Sequence, residues 1–210
     1  MKETKSNILK AALKLFNSNG FVNVRLQHIA DEAFVSVGNL AYHYQNKQEI
    51  LQALYKAILS RQTELLKELT VVPLFEHLDY HWSNLFDLQL DYRFFYIDTL
   101  EVLRSNTEIA QKHRQHMEWE INQYVQVLRF NISRGAFKSS YDDHTIHQMA
   151  HNLWMISNLW LHQNSLQYET SDPEIDEFKA RLWCNVLGWM TDLGLKEYQQ
   201  FMELNKRNGI

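Results

Sequence analysis

The sequence predicts an all-α protein: an N-terminal unit of three helices with helix-turn-helix spacing, followed by a larger helical part. Three observations support this. Only six glycines and two prolines occur in 210 residues, too few breakers for an all-β fold or for long disordered linkers. Apolar residues recur at helical spacing through most of the chain, and no segment alternates cleanly every second residue as a half-buried strand would. Aromatic residues make up 13% of the chain, which is enough for a sizeable core.

The elements follow in order. Ile8, Ala11, Ala12, Leu15 and Phe16 lie on one face of a first helix. Asn17-Ser18-Asn19-Gly20 ends it, with Gly20 suited to the left-handed position after a helix C-terminus. Leu26, Ile29, Ala30 and Ala33 predict a short second helix. Ser36 is a natural N-cap for a third, running to about Tyr44, with Leu40 and Tyr44 facing inward. From Lys47 a long apolar pattern runs through Ile50, Leu54, Ile58, Leu65 and Leu69 and stops near Val71-Val72-Pro73. Beyond Pro73, helices are predicted at about 74–90, 92–104, 107–134, 143–166 and 173–204. Asp142 and Asp143 precede one of these. Asp172 as cap with Pro173 at the first helical position is a matched start signal for the last. The predicted division is 1–46, a connecting helix at 47–72, and 73–210.

Composition excludes several function classes. The net charge is −4, so the whole chain is not a polybasic nucleic-acid binder. The charge is uneven, however. Residues 1–50 hold six Lys/Arg against four Asp/Glu, whereas the remaining 160 hold 15 against 21. The single cysteine, Cys184, rules out an intrachain disulfide framework and a cysteine-rich zinc module. It sits in an apolar helical stretch and is expected to be buried. No apolar run is long enough to span a membrane, and the N-terminus lacks the apolar region of a secretory signal, so a cytoplasmic protein with no membrane association is expected. No nucleophile elbow, P-loop, dinucleotide fingerprint or Glu-x-x-His pair occurs, so no cofactor is expected.

A helix that enters a major groove must present small and polar side chains outward. The third helix offers Ser36, Val37, Asn39, Tyr42 and His43. Gly38 lies within it, where glycine costs ~1 kcal/mol relative to alanine. Close approach to the first helix, or to a DNA phosphate, would account for keeping it. The stretch ILKAALKLFNSNGFVNVRLQHIADEAFVSVGNLAYHYQNKQEIL resembles the DNA-binding domain of the TetR/AcrR family of repressors. The matching features are IL-x-AA-x-x-LF with its Gly-aromatic end, IA-x-x-A, VS-x-G-x-L, and H-aromatic-x-x-K-x-x-[LI].

The resemblance implies a cytoplasmic homodimer that binds double-stranded DNA at an inverted repeat and is released by a small effector. It places Ser36, Val37, Gly38, Asn39, Tyr42 and His43 on the recognition helix. It makes Lys47 a phosphate contact, and it sets Arg25 and Gln27 beside the DNA at the start of the second helix. Three positions depart from the family pattern: Phe34 replaces the usual turn glycine, Arg25 the usual Ser/Thr cap, and Ala41 the usual tyrosine.

In the larger part, Trp82, Phe86, Phe94, Phe95, Tyr96, Trp119, Tyr124 and Phe130 could line an apolar pocket, with His81, Arg93 or His113 as polar anchors. A plain aromatic core is the alternative. The family resemblance implies that this domain takes an effector, expected to be apolar or aromatic, with Trp82, Phe86, Phe94, Tyr96, His113 and Trp119 as candidate lining. The last two predicted helices carry excess apolar surface, and Trp154, Leu182, Val186 and Trp189 are candidates for a dimer interface. His144, His147, His151 and His162 share one helix stripe. His147 and His151 have chelating spacing, but only Asp143 offers a carboxylate there, and no metal site is expected. Two rival readings stay open: an all-helical enzyme using an aromatic or histidine-rich cavity, and a regulator controlled by a protein partner.

Overall fold

The computed structural model describes residues 2–168 and 172–208. Among them lie eleven helices. The first four are α1 (Lys2–Asn19), α2 (Leu26–Glu32), α3 (Val37–His43) and α4 (Lys47–Val71). Next come α5 (Phe75–Asp91), α6 (Arg93–Ile97), α7 (Thr99–Ser105) and α8 (Thr107–Ser133). The last three are α9 (Asp143–Gln167), α10 (Ile175–Leu187) and α11 (Asp192–Asn208). No strand occurs among the described residues, only an isolated bridge between Phe137 and Met190.

The chain divides into two compact units that do not follow sequence order. One holds residues up to Arg61 together with Leu88–Arg114; the other holds Gln62–Asp87 and the described residues from Gln115 onward. This differs from the division at 46 and 72 read from the sequence. The cause is packing. Phe16 of α1 meets Phe21 edge-on at 5.2 Å and Phe94 of α6 at 5.4 Å. Asn17 also bonds the chain around Phe94, so α6 completes the core of the N-terminal unit.

Within the first unit, Ile8, Ala12, Ile29 and Leu40 are fully buried. Gly20 takes the left-handed conformation at φ 75°, as its position after α1 requires. Ser36 caps α3, its Oγ accepting from the Asn39 backbone N–H at 3.1 Å. Leu40 and Tyr44 face inward. In the second unit, Trp82 and Trp183 meet edge-on at 4.9 Å, and Phe178 lies between Phe86 at 5.8 Å and Trp160 at 5.2 Å. Asp142 caps α9, accepting from Thr145 N–H at 2.7 Å.

Four sequence expectations are corrected. The segment 92–104 is two helices, because Asp98 leaves helical geometry at φ −110°, ψ 33°. The segment 173–204 is likewise two. There the chain turns at Gly188–Thr191 and pairs with the segment that follows α8: Lys138 N–H donates to Trp189 O at 2.9 Å and Thr191 N–H to Ala136 O at 3.0 Å. Thr191 Oγ1 then accepts from Gly194 N–H at 3.2 Å, which starts α11. The cap of α10 is Glu174, not Asp172, and Pro173 precedes the helix. Glu169, Thr170 and Ser171, expected to break the chain before it, lie outside the described residues. Finally, Cys184 is exposed on α10 rather than buried.

Candidate nucleic-acid interface

α3 presents an uncommitted polar face. Ser36, Val37, Gly38, Asn39, Ala41 and Tyr42 are exposed, and His43 is half-buried. Tyr42 is 73% exposed, its ring edge-on to His43 at 5.2 Å. Ser36 uses an oxygen lone pair as the cap, which leaves its own proton free to donate. A Cβ placed on Gly38 would meet only Ser36 Oγ, at 4.0 Å. Packing on α1 therefore does not require this glycine.

The start of α2 is also open. Arg25 holds the cap position with extended backbone and an exposed guanidinium. Arginine has no acceptor, so it cannot cap with its side chain. His28, which the sequence reading missed, supplies half of a substitute. Its Nδ1 accepts from the Arg25 backbone N–H at 3.3 Å. Gln27 is exposed and donates to Asp31 Oδ1 at 2.7 Å, leaving its amide oxygen available. Phe34 accepts strain in the turn: φ is 56° and the side chain is 95% exposed.

Lys47 is corrected. Its ammonium donates to Phe21 O at 2.9 Å, Val22 O at 3.2 Å and Val24 O at 2.8 Å, and lies 4.3 Å from the centre of the Phe21 ring. An ammonium has three donors, and all three are used. Partial burial pushes its pKa down, and nearby Glu101 partly offsets this. Lys47 therefore ties the start of α4 to the loop between α1 and α2 instead of offering a free charge.

The proposed effector lining is not one cluster. Phe94, Tyr96 and His113 belong to the first unit, whereas Trp82, Phe86 and Trp119 belong to the second. Phe94 packs on Phe16, and His113 Nδ1 lies 3.1 Å from Tyr55 Oη. Trp82 and Phe86 are 0% and 5% exposed, and Trp119 stacks on His116 at 5.3 Å. Of the other pocket candidates, His81 and Tyr124 meet in the second unit in a buried polar cluster that also holds Glu120 and Ser157. Burial lowers the pKa of His81 to about 4 and raises that of Tyr124. The sequence reading named His81 and Tyr124 but missed Glu120 and Ser157.

The dimer candidates are corrected too. Trp154, Leu182 and Val186 are buried within their own chain, and Trp154 Nε1 donates to Glu120 Oε2 at 2.8 Å. Trp189 is half-buried and edge-on to Phe137 at 6.2 Å. The apolar side chains left exposed on α9 are Met155, Leu159 and Leu166. His144, His147, His151 and His162 are all exposed. Among the described residues, no group of three or more His, Cys, Asp or Glu could hold a metal, and no helix is long and apolar enough to cross a membrane.

With this geometry in place, the chain can be compared with known proteins. A family profile described as the TetR bacterial transcriptional repressor matches residues 48–198, and one for bacterial regulatory proteins of the tetR family matches residues 8–54. The chain belongs to the TetR family. This TetR-family protein is accordingly a DNA-binding transcriptional regulator. It is 28% identical over 147 residues to the fatty acid metabolism regulator protein of Bacillus subtilis (strain 168), a match covering 68% of this chain and 75% of that one. It is 38% identical over 69 residues to the uncharacterized HTH-type transcriptional regulator TtgW of Pseudomonas putida, covering 33% of this chain and 49% of that one. The chain thus spans about half of that second relative. A TetR-family regulator from Marinobacter aquaeolei VT8 shares the fold with a TM-score of 0.83 at 20% identity, covering 95% of this chain and 97% of that one. The fatty acid degradation regulator FadR from Bacillus halodurans aligns with a TM-score of 0.68 at 18% identity, covering 87% and 94%.

Proposed function

We propose that this TetR-family regulator is a cytoplasmic homodimeric repressor that binds an inverted-repeat operator and leaves it when a small effector enters the second unit. The observation that carries the DNA reading is the outer face of α3, where Asn39 and Tyr42 are exposed beside a glycine that internal packing does not need. Two-fold symmetry of the protein would be mirrored in the site. Asn39, Tyr42 and His43 would touch bases, while Arg25 and Ser36 would touch phosphates. Regulation is favoured over catalysis because Arg25, Ser36, Asn39 and Tyr42 are exposed side chains at the start of α2 and along α3.

The second copy is proposed to dock on the outward face of α9 and α10. A groove of about 380 Å³ there is lined by Met155, Ile156, Leu159, Trp160, Gln163 and Arg181. The exposed Met155 and Leu159, four residues apart, form an apolar stripe suited to a paired-helix bundle.

Selection of bound sequences from random duplex DNA tests the main reading. The expected product is a palindromic site. Changing Asn39 to Ala should relax preference at particular base pairs, costing ~1–3 kcal/mol for a good contact. A selected pool with no common sequence, or unchanged preference in Asn39→Ala, would sink it.

A further inference from the structure

The second unit holds a cleft of about 420 Å³ between α5, α10 and α11. Small-molecule sites fall in the range of about 300–1,000 Å³. Trp183 and Tyr198 form an aromatic wall, their rings 4.8 Å apart and inclined at 49°, and Met202 extends it. Trp183 is buried and fixed in place, because its Nε1 donates to Asp79 Oδ1 at 2.9 Å.

Both signs of charge border this wall. Lys179 Nζ pairs with the other Asp79 oxygen, Oδ2, at 2.7 Å, and both side chains are mostly shielded from solvent. Each Asp79 oxygen thus has its partner. An ammonium has three donors, and Lys179 makes no other bond among the described residues. Two of its N–H groups remain for an occupant of the cleft. Asp176, one helical turn earlier, is exposed and pairs with no cation among the described residues. Residues three apart on a helix are neighbours, with about 5–6 Å between their Cβ atoms. At ~100° per residue, Asp176, Lys179 and Trp183 share an arc of roughly 60°. Arg181, which borders the proposed docking groove, lies about 140° from Asp176 on the same measure. The cleft and the docking face therefore use different sides of α10.

We infer that this cleft is the effector site and that it takes a small aromatic zwitterion, an α-amino acid with an aromatic side chain. The inference rests on the effector-release reading above and specifies its ligand. The ammonium and carboxylate of an α-amino acid flank a single carbon, so both can meet side chains one helical turn apart. The carboxylate accepts from the unspent donors of Lys179, and the ammonium faces Asp176. The ring lies against Trp183, Tyr198 and Met202, where offset or edge-on contact adds to its burial. A plain amine leaves the Lys179 donors without an acceptor. A plain acid meets Asp176 as a like charge. Asp79, which holds Lys179, lies on α5, the helix whose last residue is held by Asn17 of α1. Occupancy of the cleft therefore acts on a helix that also reaches the first unit.

The test uses the whole protein and two skeletons that differ only in charge: L-tryptophan with tryptamine and indole-3-propionate, and L-phenylalanine with phenethylamine and 3-phenylpropionate. Calorimetry reads binding, and displacement of the selected operator reads release. At least one amino acid is expected to bind about tenfold or more tightly than both of its analogues and to release DNA. Asp176→Asn should abolish its advantage over the acid, and Lys179→Met its advantage over the amine. If Lys179→Met fails to fold, the wild-type charge order and Asp176→Asn still decide the matter. Binding of neither amino acid at millimolar concentration, an analogue that binds as tightly, or an undiminished advantage over the acid in Asp176→Asn would overturn the inference. Operator binding without ligand is measured first. Its absence would overturn the repressor reading, while calorimetry still decides the ligand. The expected charge order without operator release would overturn the effector role of the cleft.

Discussion

Asn17 in α1 donates from Nδ2 to the Asp91 carbonyl at 2.8 Å while its Oδ1 accepts from the Phe94 backbone N–H at 3.1 Å. Both ends of one amide thus hold the junction of α5 and α6. α5 itself has residues in both compact units, so this amide links the helix behind the DNA-reading pair to an element that leaves that unit. Asn17→Ala removes two bonds, worth about 1 kcal/mol each in net stability. The urea midpoint should fall accordingly. Operator release by a bound effector should weaken more than operator binding does. An unchanged release curve would show that this link does not carry the response.

Lys47 separates two kinds of DNA effect. Had it neutralised a phosphate, its removal would flatten the salt dependence of binding by about 0.9 in slope. With all three donors spent on Phe21, Val22 and Val24, Lys47→Ala should instead leave those carbonyls without their partner and destabilise the first unit by about 1–3 kcal/mol. Operator affinity should drop with the salt slope unchanged. Titrations at several salt concentrations distinguish the outcomes.

The pH dependence of stability should carry the mark of His81. Burial holds its folded pKa at about 4, below the usual ~6.5 of an unfolded chain. The unfolded state therefore binds the extra proton between those values. The contribution of neutral His81 is complete above about pH 6.5 and is lost as pH falls toward 4, by at most about 3 kcal/mol. His81→Phe should flatten this slope. Denaturant curves at stepped pH measure it, and identical slopes in both proteins would contradict the assignment.

Gly194 sets a steric limit. A Cβ there would sit 2.2 Å from Ala136 O, a backbone atom that also accepts from Thr191 N–H. Gly194→Ala must push α11 away from the segment that follows α8. A loss of about 1–3 kcal/mol is expected, despite alanine's higher helix propensity. A more stable Gly194→Ala protein in thermal melts would refute the close approach.

Leu182 and Leu159 should respond differently to the same charge. Leu182 is fully buried in its own chain, so Leu182→Glu should unfold it. Leu159 is 43% exposed on the proposed docking face, so Leu159→Glu should give a folded monomer. Sedimentation and circular dichroism together read both results. A folded Leu159→Glu dimer would move the interface elsewhere.

The reading head was largely legible in the sequence because its signals are local. Gly20 and Ser36 act within a few residues of themselves, and both took their expected roles. Periodicity placed the long helices but merged those separated by Asp98 and by Gly188–Thr191, because the apolar pattern continues across each break. What ends α10 is a pairing with residues 136–138, which lie far away in sequence. The internal bonding of Lys47 was invisible for a related reason: a cation looks alike in sequence whether it faces solvent or three carbonyls. Glu120 and Ser157 were missed because the members of their cluster come from three helices, each of which reads as an ordinary amphipathic segment.

The packing of Phe94 on Phe16 also dictates an order of events during synthesis. The first unit is built from two stretches of chain, with Gln62–Asp87 between them belonging elsewhere. A ribosome that has released only the first 61 residues has released every side chain proposed to face DNA, yet none of α6. Phe16 then has no Phe94 to cover it, and the Asn17 amide has no Asp91 or Phe94 to hold. The head should therefore reach its final stability only after Arg114 has emerged, by which time the intervening segment is already outside. Early-terminated fragments would carry the reading residues on an unfinished core, open to proteolysis and too weakly ordered to occupy the operator in place of the full-length protein.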